Sequence, residues 1–334
     1  MISAFLDGLR RAAAAPLVVV GIWAATLATA LPLALMLFLG IAGDLGPSAT
    51  SAAVAEGWDE MWWIEFRGDA NAVEGTFGPW VIGFAAALFN LSNFLDGVPP
   101  RAATLPAIVW FLAWIFLAGG VIDRLARQRP IGSAAFFSAC GGFVGRFVRL
   151  GLIAAVAYGV LFLWFRPWLF GDLYESLARD ATVERTWAVT RFGLYVIFGA
   201  VLAAADLVFD YTRVRAVVED RRSMIGALLA TLRFMRRHPA GVAGLWLLNG
   251  LLLALVYAAY ALVAPGAGAS GGAVWGAFAV GQLYIAARVF ARLAAYASQI
   301  SYFQSRLAHA TYVASPEPRW PDSPSAEALG PPAT

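Results

Sequence analysis

Six stretches of this chain, roughly 17–42, 104–122, 150–170, 188–209, 239–263 and 273–297, stay apolar over about the 20 residues that a helix needs to cross a bilayer core. Hydrocarbon offers no water to backbone N–H and C=O groups, so such stretches must satisfy them internally, as helices. The pattern predicts an all-α, polytopic bundle of six transmembrane helices. Composition agrees, because only 13% of the 334 residues are charged and 60% are hydrophobic, with mean hydropathy +0.70, against about 25% charged in soluble domains. The first stretch follows Arg10 and Arg11 but far exceeds the about 7–15 residues of a signal-peptide core, so it reads as a retained anchor.

The 24 basic residues are all arginine, which points to a GC-rich bacterial genome and thus to the bacterial cytoplasmic (inner) membrane. A sequence pI near 9.2 reports topology here, since arginines flanking apolar runs follow the positive-inside rule; the bilayer is the expected partner and nucleic acid is not. Segments 123–149 and 210–237 are arginine-rich, as is the N-terminus, and are assigned to the cytoplasm. Segment 44–103 carries Asp44, Glu56, Asp59, Glu60, Glu65, Asp69, Glu74 and Asp96 and is assigned to the outer side as a helical insertion between spans 1 and 2. Both termini are then cytoplasmic. A further apolar run, 80–97, would reverse every later loop if it spanned. It is short and broken by Asn90, Asn93 and Asp96, and reads as an outer-surface or re-entrant helix. Its Asn90-Leu91-Ser92 tripeptide carries no weight beside a bacterial bilayer.

MIGALLATLRFMRRHP, 224–239, aligns without a gap on the N-terminal MISAFLDGLRRAAAAP, pairing Met1/Met224, Leu6/Leu229, Arg10/Arg233 and Pro16/Pro239. Apolar residues at three- and four-residue steps, then arginines, then a proline, describe an interfacial helix that turns into a span. Residues 131–152 repeat the device loosely, with Gly145 where proline stands elsewhere. The chain thus reads as one membrane domain, 1–314, of three parallel units (1–122, 131–209 and 224–297) with three cytoplasmic elbow helices. Residues 315–334 form a disordered tail bearing Trp320. Parallel repeats occur in only some transporter families, where inverted repeats are common.

These elbows, together with FFSACGGFVGRFVRL (136–150) and DYTRVRAVVEDRRS (210–223), resemble features of a family of uncharacterised bacterial six-helix integral membrane proteins. More distantly they are similar to the membrane domain that accompanies some glycerophosphodiester phosphodiesterases. The resemblance covers the six-span core, omits 44–103, and implies a fold without an activity, as no phosphodiesterase domain is present.

Motifs for chemistry are sparse, and no catalytic residue, metal site or cofactor is expected. Gly266-Ala267-Gly268-Ala269-Ser270-Gly271 fits GxGxxG but joins two membrane helices with no strand before it, so it reads as a hairpin turn. The single cysteine, Cys140, reads as a packing residue, and His238 and His309 are too few for a zinc site.

Two constellations stand out. On the last span Tyr284, Arg288, Arg292, Gln299 and Arg306 share a helical stripe with Gln282 close by, and on the fourth span Asp206 and Asp210 share the same four-residue step. Helix rise puts the two sets at similar depth, so a ladder pairing Asp206 with Arg288 and Asp210 with Arg292 is expected if the helices are neighbours. Outside, Trp58, Trp62 and Phe66 recur at four-residue spacing, as an aromatic stripe on the bilayer or its own bundle, or as a binding face. Function is left among three classes: a non-enzymatic membrane or envelope component that binds a partner protein or lipid, a carrier or channel for a lipid or small molecule, and an intramembrane enzyme. A sealed core, a polar cavity, and converging titratable groups in such a cavity distinguish them in turn.

Overall fold

A computed structural model describes residues 1–46, 48–71, 73–97, 104–128, 132–179, 183–266 and 272–306. Most of the 266–271 turn and the whole 315–334 tail lie outside the described residues. In chain order the helices are α1 (Ile2–Ala13), α2 (Pro16–Leu45), α3 (Ser51–Glu56), α4 (Glu60–Asp69), α5 (Ala85–Asp96), α6 (Thr104–Arg127), α7 (Ser133–Val160), α8 (Arg166–Trp168), α9 (Tyr174–Ala178), α10 (Glu184–Val218), α11 (Met224–Arg237), α12 (Pro239–Val263) and α13 (Gly272–Arg306). No strand occurs among the described residues. Two π-helical turns, Leu161–Phe165 and Leu169–Leu173, join α7, α8 and α9 into one column, Ser133–Leu177. They flank Pro167, whose missing N–H and ring would clash with a regular α-helical ladder, and the wider turns absorb that defect. Six helices, namely α2, α6, the α7–α9 column, α10, α12 and α13, are long and apolar enough to cross a membrane, as a multi-pass membrane protein requires.

Two breaks share one geometry. Ala15 (φ −125°, ψ 53°) separates α1 from α2, and His238 (φ −131°, ψ 47°) separates α11 from α12. Each precedes a proline, whose ring drives the residue before it out of the α region, and each proline begins the next helix, where no N–H is needed. The stretch 131–152 differs from the expected third elbow: α7 runs unbroken from Ser133 through Gly145 to Val160. A glycine keeps its N–H and costs only about 1 kcal/mol within a helix, which does not stop it. Helix α5, at 12 residues, extends about 18 Å, short of the about 30 Å of a bilayer core.

The large core gathers at one end of the bundle, where α2, α7 and α12 begin and α6, α10 and α13 end. Val121, Ile122 and Leu125 of α6, Phe143, Phe147 and Leu150 of α7, Val214 and Val217 of α10, and Ile300 and Phe303 of α13 interlock there. Helix α1 lies on α13 at this packed end, and a Cβ at Gly8 would come within 2.5 Å of the Ser298 backbone nitrogen. Arg11 of α1 donates to Asp7 (2.7 Å), to Gln304 (3.0 Å) and to the Leu125 carbonyl (3.4 Å). Burial pushes its guanidinium below the ordinary arginine range, and Asp7 opposes that shift. Helix α11 docks through Phe234, whose ring meets Tyr211, Tyr302 and Phe303. Toward the opposite, open end the helices expose most of their apolar surface, apart from a small cluster of Leu169, Leu194, Phe198 and Leu202 between the α7–α9 column and α10.

Candidate functional site

Helix α13 presents Tyr284, Arg288, Arg292 and Tyr296 on one stripe, each four residues on. Its rotation is set from two sides. Trp23 of α2 donates its indole N–H to Gln282 (3.0 Å), and Tyr260 of α12 stacks on Tyr284 with ring centroids 3.9 Å apart and planes at 9°. The arginines therefore face the space between α10 and α12.

Asp210 of α10 is the hub. It accepts from Arg213 (2.7 Å), Arg292 (3.2 Å) and the Tyr296 hydroxyl (2.7 Å), with 5% of its side chain exposed. Arg213 also donates to the Tyr296 hydroxyl (3.2 Å), and the Arg292 guanidinium lies over the Tyr296 ring at 5.1 Å. Three donors on one carboxylate stabilise its charged form, offsetting the loss of hydration that makes a lone buried charge so costly. Asp206 sits one turn along α10 and meets the other nitrogen of Arg292 at 3.4 Å, and both side chains are about half exposed, 46% and 44%.

The expected ladder holds at the Asp210–Arg292 rung and fails at the other. Arg292 serves both aspartates, and Arg288, one turn nearer the open end, pairs with no carboxylate among the described residues. Its guanidinium lies over the rings of Tyr257 (5.9 Å) and Tyr284 (5.5 Å). An arginine at membrane depth costs about 2.5–3.5 kcal/mol on insertion scales, and cation–π contacts return about 1–2 kcal/mol of that. The five charges of the cluster, Asp206 and Asp210 against Arg213, Arg288 and Arg292, leave one positive charge in excess. Arg213 and Tyr296 complete the network but were missed from the sequence. Tyr296 continues the four-residue step from Arg292, and Arg213 follows Asp210 by three, so helical spacing alone pointed to both.

The remaining stripe residues point into the packed end: Gln299 is buried, with its carbonyl oxygen unbonded in the structure, and Arg306 lies over the Tyr302 ring at 5.4 Å. In the 44–97 segment Trp62 and Phe66 turn inward with Trp63, stack at 5.2 Å, and seal a small aromatic core against Ile41 and Leu45 of α2. Trp62 also donates to Asp44 (2.7 Å). Of the expected outer face only Trp58 remains at a surface, lining a groove with Pro79, Phe84 and Pro265. A polar knot absent from the sequence reading ties α5 to the spans: Asp96 accepts from Arg166 (3.0 Å) and from the Tyr195 hydroxyl (2.9 Å), and Arg166 also donates to the Leu95 carbonyl (3.0 Å).

No protein-family model, curated protein or solved structure matches this chain.

Proposed function

We propose that this chain is a non-enzymatic component of the bacterial cytoplasmic membrane that binds a lipid or a partner protein in the groove between α10, α12 and α13, and that it is not a conduit. One observation carries this reading: the space that Arg288 and Arg292 face ends in packed side chains. Directly below Arg292 along α13, Leu293, Ala294, Tyr296, Ala297, Ile300 and Phe303 are all buried, facing Val214, Val217 and Val218 of α10 in a continuous core. A channel or carrier needs access at both ends, and interiors this well packed do not part without large motion.

In this reading the packed end faces the cytoplasm, as the arginine distribution requires. Helices α1 and α11 then act as interfacial elbows. Ile2 and Leu6 of α1, and Ile225, Leu229 and Leu232 of α11, are exposed and point to acyl chains, with Arg10, Arg233, Arg236 and Arg237 beside them for headgroups. The matching bends at Ala15 and His238 support a parallel duplication of the first and last units, and the unbroken α7 makes the middle unit a diverged copy. The 44–97 segment caps the outer side, and the relation to the six-helix family and to the phosphodiesterase-associated membrane domain is one of fold.

The test is reconstitution. Purified protein in vesicles is expected to leave proton, potassium and lipid-scrambling rates at those of empty vesicles. Mild-detergent purification is expected to retain specific lipids or a membrane-protein partner identifiable by mass spectrometry. Flux above the empty-vesicle control overturns the reading in favour of a carrier.

A further inference from the structure

The binding role proposed above leaves the ligand open, and the groove itself narrows it. Its free group is the Arg288 guanidinium, exposed, without a carboxylate partner among the described residues, and held over the rings of Tyr257 and Tyr284. The Tyr284 hydroxyl shares a hydrogen bond with it, and the rest of its N–H fork faces no carboxylate acceptor among the described residues. One turn deeper, Arg292 keeps 44% of its side chain accessible while it holds Asp206 at 3.4 Å and Asp210 at 3.2 Å. One turn nearer the open end than Arg288, the Tyr284 hydroxyl is buried against Arg288 and Tyr257. Two guanidinium groups thus line one stripe of α13, in a site with one excess positive charge.

The surroundings say from which medium the acceptor comes. Helices α12 and α13 expose Leu247, Leu251, Leu255 and Leu283, an apolar surface suited to acyl chains in a multi-pass protein. Both α10 and α12 pack on α13, so the groove they flank opens sideways, toward lipid. An anion arriving by that route is one anchored among acyl chains. We infer that Arg288 and Arg292 form a binding site for the phosphate diester of an anionic glycerophospholipid, which enters laterally and lays its chains along α12 and α13. Arg288 supplies the N–H donors and Arg292 the second cation. Zwitterionic lipids carry the same phosphate with a cation that the excess positive charge disfavours.

This inference rests on the binding reading but fails separately from it. Full-length protein in mild detergent is titrated with phosphatidylglycerol, with phosphatidylcholine and with inorganic phosphate, and occupancy is followed by native mass spectrometry and by the thermal midpoint. Phosphatidylglycerol is expected to bind more tightly than phosphatidylcholine. Arg288→Gln is expected to weaken phosphatidylglycerol by about tenfold or more, as the loss of charge-assisted hydrogen bonds implies, with the midpoint in phosphatidylcholine unchanged. Should that variant fail to fold, Arg288→Lys keeps the charge without the fork and is expected to weaken binding several-fold. Wild-type affinity for phosphatidylglycerol in a folded variant overturns the assignment. So does inorganic phosphate that saturates the site and displaces the lipid, which would make the groove a site for a water-borne anion. Flux in vesicles with the Arg288 effect intact would instead overturn only the non-conduit reading.

Discussion

Asp210 and Asp206 lie one helical turn apart on α10 and have the same chemistry, yet they carry different loads. Asp210 answers three donors from a nearly closed position, so Asp210→Asn strands the Arg213 and Arg292 charges and is expected to cost about 3–5 kcal/mol. Asp206 meets Arg292 at the edge of its reach with both side chains half exposed, so Asp206→Asn is expected to cost no more than about 1 kcal/mol. Thermal midpoints in detergent check the contrast, and equal losses would show that the two carboxylates act as one. Adding Arg292→Gln to Asp210→Asn should recover part of the loss, because it removes one of the charges left unpaired. Sequence reasoning found both aspartates, the arginine stripe and the Asp210–Arg292 pair, but gave Asp206 to Arg288, one turn from the arginine it meets. Helix rise locates a residue along its own axis, whereas pairing depends on the axial offset between two helices, which differed here from a count made from their outer ends.

At the level of elements, the breaks before α2 and α12 follow from proline, but what holds α1 and α11 in place is packing. Pro239→Ala restores an N–H without touching the Phe234 contacts to Tyr211, Tyr302 and Phe303, so it is expected to cost less than about 1 kcal/mol. Phe234→Ala opens a cavity beneath α11 and is expected to cost about 3–5 kcal/mol. A larger loss from the proline than from the phenylalanine, measured by thermal unfolding, would make the bend rather than the docked face the stabilising feature. Gly8→Val tests α1 in the same way: its side chain would drive into the Ser298 backbone, with an expected cost of about 1–3 kcal/mol. Gly8 stood in the sequence as one small residue among many alanines, and nothing local marked it as the contact point with a helix nearly 300 residues away.

The whole molecule is tight at one end and splayed at the other, which gives a gradient that hydrogen exchange can read. Amides of α13 in 293–303, buried among helices from across the chain, are expected to exchange far more slowly than those in 273–285, whose side chains are exposed or half-exposed. Uniform protection in detergent along α13 would contradict a sealed end and an open end. Sidedness has its own test. In a Cys140→Ala background, cysteine at exposed Ser51 is expected to react with an impermeant thiol reagent added outside whole cells, and cysteine at exposed Arg222 only after lysis. Labelling of both from outside would break the odd count of crossings, three spans, between them.

The spans and the two proline bends were legible in the sequence because each follows from a rule that acts locally. Hydrocarbon forces about 20 consecutive apolar residues into helix whatever surrounds them, and a proline displaces its own predecessor. The same local logic failed for the middle elbow, where Gly145 can be read as a break or as ordinary helix, and for the Trp62 and Phe66 stripe, which spacing alone could not turn inward or outward. Tertiary structure decided those cases, and it decided that Arg292 is shared by two aspartates while Arg288 is left to two tyrosine rings. The physical reason is that a charge at membrane depth must find its compensation within a few ångströms, and which groups stand that close is fixed only when helices distant in sequence settle their offsets and rotations against one another.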